Sequence, residues 1–229
     1  MRKMWFGLGL IALLIGMTLG GVSAWRGQPG PNPYAGTAQS VVTPTIPTTY
    51  YAPLSEDEIN GLLYMVEEEK LARDVYLTLY NETGLTVFSN IANSEQRHMD
   101  AVLSLIEKYN LTAPDTLDQV GVFQNEELQA LYNQLVEQGS KSVIDALKVG
   151  ALIEETDIED LEKWISETDN EDIKAVYSNL MAGSENHLRA FVGQLEAMGV
   201  TYTAQVLPQE KVDEILSSAP AHGMGHDHG

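Results

Sequence analysis

At 229 residues and 44% hydrophobic composition, the chain is long enough for one good core and short for two, so a single domain with tails is expected. Its 33 acidic against 13 basic residues give a formal charge of −20, which argues against nucleic acid and anionic membrane surfaces and suits a soluble protein that draws cations. Cysteine is absent, which removes disulfides, thiolate sites and iron–sulfur clusters, so any metal site must use carboxylates and imidazoles.

Residues 1–24 open with Arg2 and Lys3, continue through an apolar run and finish on Val22-Ser23-Ala24. That is the pattern of a secretory signal peptide and implies export, extracellular or periplasmic. The run is also close to the ~20 residues that span a bilayer, so an uncleaved N-terminal anchor that tethers the protein to a membrane is the rival reading. Cleavage would remove two bases and no acid. Residues 25–53, rich in Pro, Gly and Thr, read as a flexible linker.

Residues 54–207 read as helical throughout their main elements. Ser55 and Glu58 form a capping-box pattern that starts a first helix, predicted to run to Glu82 and stop at Gly84. At about 100° per residue, Glu69 falls in one stripe with Leu62, Met65, Val66, Ala72, Tyr76 and Tyr80. Glu67 and Glu68 point elsewhere, so the run Glu67-Glu68-Glu69-Lys70 reads as a largely solvated face with one inward acid. A second helix, 86–110, aligns His98 with Ile91, Val102, Leu105 and Tyr109, with Glu95 within about 60° of it. Alone, such a Glu-x-x-His pair is equally well a pair that grazes solvent at the edge of the stripe. The segment 111–139 contains Pro114, Gly121 and a short amphipathic helix over 125–138. A connection of that length can return along a whole bundle before the next helix begins.

Ser140 or Ser142 caps a third long helix reaching Glu167, with Ile144, Leu147, Ala151, Glu154, Ile158, Leu161 and Ile165 in its stripe. Asp157 lies within about 60° of Glu154, and Glu155 and Glu159 lie farther round as second-rank candidates. A fourth helix, capped by Asp169 and ending before Gly199, places His187 with Ile173, Val176, Leu180, Phe191 and Met198, while Glu185 points away. An extended stretch over 200–207 follows. Residues 208–229 are a short helix and a tail with His222, His226 and His228, which either holds Cu, Ni or Zn loosely or is a terminus without a ligand.

Four long amphipathic helices that each carry an acid or histidine mid-stripe would bring them to one point in a bundle core, where carboxylates repel unless cations neutralise them. Two divalent ions answer that demand. Oxygen-rich ligation with imidazole suits Fe or Mn, and Zn also fits.

The ordered set Glu69-Lys-Leu-Ala-Arg-Asp-Val-Tyr76, Glu95-Gln-Arg-His98, Gly150-Ala-Leu-Ile-Glu154-Glu155-Thr-Asp157-Ile158 and Ser184-Glu-Asn-His187-Leu-Arg-Ala-Phe191 resembles the ferritin-like superfamily, nearest to rubrerythrin and erythrin. Within it, the wording is similar to the ferritin-like proteins known as DUF2202, over residues 54–207. The resemblance implies an all-α, ferritin-like four-helix bundle whose long crossover carries a short helix between helices two and three. It implies Glu69, Glu95, His98, Glu154 and His187 as catalytic metal ligands, with Glu95 bridging and Asp157 as a further ligand. The implied cofactor is a pair of Fe ions, and the implied activity a reaction with O2 or peroxide of the peroxidase or ferroxidase type. The superfamily's fourth helix reads Glu-x-x-His, and here Ser184 stands at the Glu position, so either Asp157 compensates or only one metal binds firmly. With no rubredoxin cysteines, turnover would draw on an external electron donor. Tyr76 and Tyr80 would relay electrons or cap the site; ordinary core aromatics are the simpler reading. Two other readings stay open: a metal scavenger without turnover, and a metal-free interaction module whose buried acids are vestigial or pair with Arg73 and Arg189. A homodimer is also left open.

Overall fold

The computed structural model describes residues 53–218. The segment read as a signal or anchor, nearly all of the one read as a linker, and the tail with His222, His226 and His228 lie outside the described residues. Six helices form among the described residues: α1 (Glu56–Thr83), α2 (Thr86–Lys108), α3 (Glu126–Gly139), α4 (Val143–Glu167), α5 (Glu171–Ala197) and α6 (Gln209–Ser217). Among the described residues there is no strand, and the fold is all-helical. No helix among them is long and apolar enough to cross a membrane.

Several boundaries follow from local chemistry. Glu58 N–H donates to Ser55 Oγ at 3.2 Å and Ser55 N–H to Glu58 Oε2 at 2.8 Å, the reciprocal bonds of a capping box. Gly84 ends α1 at φ +69°, its N–H reaching Tyr80 O. Ser142, not Ser140, caps α4, with its Oγ accepting from Asp145 N–H. The predicted cap at Asp169 does not form. Asn170 takes the N-cap position of α5 without a side-chain cap bond, because its amide and the Thr168 hydroxyl are spent on Glu58 Oε1, at 2.7 and 2.6 Å.

Glu58 therefore ties the α4–α5 turn to the start of α1. Burial pushes its carboxyl up, but the hydrogen bonds from Thr168, Ser55 and Asn170 outweigh it and hold the pKa at about 2, below the ordinary 4.5. A depressed folded pKa gives stability that is complete above the unfolded value and is lost as pH falls toward 2. Glu58→Gln is expected to cost on the order of 2 kcal/mol at pH 7 in urea unfolding, and the gap to wild type to narrow steadily between pH 5 and pH 2. A gap that stays constant over that range would show that Glu58 is not held as the anion.

The helices form two hairpins, α1–α2 and α4–α5, packed α1 on α4 and α2 on α5. Tyr76 meets Gly150 and Glu154 while Gly61 meets Trp164, so α1 and α4 run antiparallel. Phe88 meets Phe191 and Tyr109 bonds Asp172, so α2 and α5 do as well. Consequently α2 and α4 point the same way, and the chain between them must travel back the full length of α2. That connection carries α3, which lies on α1 and α4.

This return path buries what the helical wheel left in solvent. Every residue of α1 from Gly61 to Tyr76 is buried, Glu67, Glu68 and Lys70 included. Glu67 accepts from the N–H groups of Gln124 and Asn125 at the start of α3. Lys70 Nζ bonds Asp74 and Gln119 O and sits 4.0 Å above the Phe123 ring. Arg73 bonds Asp74, Gln96 and Leu117 O. Glu67, Lys70 and Arg73 thus form the seam that fastens the crossover to α1, each paired as burial requires. Three residues expected in apolar stripes lie at the periphery instead: Tyr80 (37% exposed), Ile144 (36%) and Met198 (44%). They sit near helix ends, where the neighbouring helix no longer covers them. The stretch predicted as extended, 200–207, is irregular rather than a strand.

Candidate metal centre

The inward residues of four helices meet mid-core. From α1, Glu69 Oε2 lies 3.2 Å from His98 Nδ1 on α2. Glu95, one turn before His98, turns one oxygen to each imidazole: Oε2 is 2.8 Å from His98 Nδ1 and Oε1 is 2.7 Å from His187 Nδ1 on α5. Glu154 Oε2, from α4, stands 3.4 Å from His187 Nδ1. The two imidazole rings stack at 5.4 Å. Donor atoms of Glu69, Glu95 and His98 lie within 4.8 Å of one another, and so do those of Glu95, Glu154 and His187. The two triads share Glu95.

Of the expected ligands, the structure therefore brings five together and leaves Asp157 just outside both triads. Ser184, three residues before His187, donates its hydroxyl to Asp157 Oδ2. Asp157 Oδ1 remains buried without a hydrogen-bond partner among the described residues. Tyr76 donates to Glu154 Oε1 at 2.6 Å, so this tyrosine is a core aromatic whose hydroxyl also fixes a site carboxylate. Glu155 is fully buried but serves the segment after α5, and Glu159 is half-buried.

Charge explains why the cluster is unfinished as protein alone. Burial pushes Glu69 up, opposed by His98 and reinforced by Glu95, to about 7. His98 and His187 are opposed by burial, yet the flanking carboxylates raise them to about 11 and about 10. Burial works against the Glu95 anion too, but His187 and His98 overcome it and hold Glu95 well below the usual carboxylate range. Two protons on the imidazoles thus stand where cations would. Glu69 Oε1, Glu95 Oε1 and His187 Nδ1 are buried and have no hydrogen-bond partner among the described residues. Glu95 Oε1 and His187 Nδ1 are close in distance yet are not aligned to bond each other. Glu69 Oε2 and His98 Nδ1 do bond each other, but three convergent buried donors left without a partner are what a pair of divalent cations would take up, so the residues present fit such a group.

The helical wheel missed a neighbouring pair, Glu68 and Asp160, which face each other across α1 and α4 and share a hydrogen bond. Burial drives both carboxyls up, as a shared proton demands. No periodic signal marks them, because α1 and the middle of α4 are covered on nearly every side.

Comparison with known proteins agrees with the wording of the motifs. Residues 58–219 match the family described as "Uncharacterized protein domain (DUF2202)". The chain belongs to the DUF2202 family. The matched DUF2202 residues include every ligand candidate of the helical core and all of α6. The chain is 60% identical over 172 residues to "Uncharacterized protein MJ0754" of Methanocaldococcus jannaschii, covering 75% of this chain and 93% of that protein. It is also similar to a crystal structure described as hypothetical protein MJ0754 from Methanococcus jannaschii, with a TM-score of 0.73 and 58% identity over 76% of this chain and 99% of that one.

Proposed function

We propose that this DUF2202 protein is an exported, ferritin-like four-helix bundle holding a carboxylate–histidine centre of two metal ions, iron first, that reacts with O2 or peroxide. The observation that carries the reading is Glu95, a buried carboxylate with one oxygen on each of two stacked histidines. Glu69 and His98 would hold one ion, Glu154 and His187 the other, and Glu95 both. When bound, such a pair supplies Lewis acidity and redox equivalents. The chain's own part is positioning. Tyr76 occupies one oxygen of Glu154 and so presents the other; Ser184 occupies one oxygen of Asp157, and the other would supply a further carboxylate. The buried aromatic layer of Tyr76, Phe88 and Phe191 keeps bulk water from that side. Without cysteine, electrons for repeated turnover come from an outside donor.

For the metal-free module, the form in which Arg73 and Arg189 neutralise the site acids is not favoured, since Arg73 is engaged with Asp74, Gln96 and Leu117 O, and Arg189 with Glu185, Asn186, Ile215 O and Ser218.

The test is metal content of the full chain with His222, His226 and His228 replaced by alanine, loaded with iron, followed by peroxide addition. About two metals per chain and an optical change with peroxide are expected. Because loading must displace the imidazole protons, binding weakens as pH falls. Metal without a peroxide response makes the protein a scavenger. No metal, and the same melting temperature with and without iron, sinks the proposal.

A further inference from the structure

In α5, one turn before His187, the residue facing α2 is Gly183. A Cβ built there would lie 2.5 Å from His98 Nε2 and 2.7 Å from His98 Cε1. No such contact is tolerated, so any side chain at 183 drives the imidazole away. The glycine is not explained by its backbone, which lies within a continuous helix and is not among the positive-φ glycines. In mid-helix a glycine is less favourable than alanine. Gly193, farther along the same helix, meets nothing within 4 Å of an added Cβ and has no comparable neighbour.

The other edge of the His98 ring is where the carboxylates are. Its Nδ1 stands 2.8 Å from Glu95 and 3.2 Å from Glu69, and one face stacks on His187. The ring is held between those acids and the bare helix backbone at 183, which leaves Nδ1 as the nitrogen turned toward Glu69 and Glu95. We infer that Gly183 is a positioning residue that seats His98 against Glu69 and Glu95 and thereby sets whether the Glu69–Glu95–His98 half of the centre can hold its cation. The metal clause rests on the function proposed above; the seating of the ring does not.

Two readouts separate these. With the three tail histidines replaced throughout, anaerobic titration with ferrous iron should give about two ions for wild type and Gly193→Ala. For Gly183→Ala it should give one retained ion, the other bound about 10- to 100-fold more weakly. Melting of the metal-free proteins decides the seating. Gly183→Ala should lower the midpoint in wild type and raise it in a His98→Ala background, where no ring is left to clash and alanine favours the helix. If Gly183→Ala does not fold alone, recovery of folding in the His98→Ala background is the supporting result. An equal drop in both backgrounds, or no recovery, overturns the inference, as does a Gly183→Ala protein that binds both ions as wild type does. If wild type binds no iron, the function proposal falls and the sign of the melting shift still decides the seating.

Discussion

Glu95→Ala is expected to lose both cations, whereas Glu69→Ala and Glu154→Ala each lose about one and keep the other. The asymmetry follows from geometry, since Glu95 alone belongs to both donor triads. His98 pairs with Glu69 as well as Glu95, and His187 with Glu154 as well as Glu95, so each half has a private carboxylate and the two have one in common. Removing the shared acid also strips each imidazole of a partner that favours its protonated form. The metal-free protein should then be less stable by about 3–5 kcal/mol, the usual cost of breaking a buried charge network. Glu95→Gln keeps the volume but not the charge and should fold better while still failing to bridge. The decisive measurement is the rise in melting temperature on adding iron, which reports occupancy by mass action. It should vanish in both Glu95 variants and shrink in the other two. An undiminished rise in Glu95→Ala would remove the bridging role.

The neighbouring residue has an unrelated task, and its loss should be felt in stability alone. Glu155→Ala is expected to destabilise the fold by about 3–5 kcal/mol while leaving metal content unchanged. The carboxylate is fully buried and accepts from the Tyr202 hydroxyl at 2.6 Å and from the N–H groups of Gln205, Val206 and Leu207 at 3.1, 2.9 and 2.8 Å. These donors lie in the irregular chain between α5 and α6, which has no ladder or helix to satisfy them. Alanine would leave three amides and a phenol without their acceptor, at roughly 1–3 kcal/mol for each that stays dry. The segment should therefore peel away, taking with it Leu207 and the buried Val212 and Ile215 of α6. Urea unfolding gives the size, and limited proteolysis should cut first within residues 200–208. A loss below about 0.5 kcal/mol with no new cleavage would mean that α6 is held by its own contacts.

Glu154 and Glu155 show where sequence reasoning works and where it stops. A helix turns about 100° per residue, so a residue's direction relative to an apolar stripe can be read without knowing what the stripe touches. That is why the inward placement of Glu69, Glu95, Glu154 and His187 was legible, and why the capping chemistry of Ser55 and Glu58 placed the start of α1 to within a residue. The same reasoning ranked Glu155 as a weaker ligand candidate for being off-stripe, and could not see that chain some fifty residues later returns to cover it. For α1 the assumption of one wet face failed outright, because α2, α4 and the crossover with α3 enclose it and bury Glu67, Glu68 and Lys70. Ser184 read as a ligand lost; across the α4–α5 interface it is the donor that orients Asp157.

The helices, the capped start of α1 and the inward direction of the site's acids and histidines were set by the sequence alone, because these depend on neighbours within a turn or two of the same helix. The tertiary structure alone decided which oxygen faces which imidazole, that Glu95 serves both histidines, that Gly183 must be bare and that a charged run becomes a seam. Those outcomes depend on distances between residues tens of positions apart, set by how the two hairpins and the crossover enclose one another, and no local period carries that information.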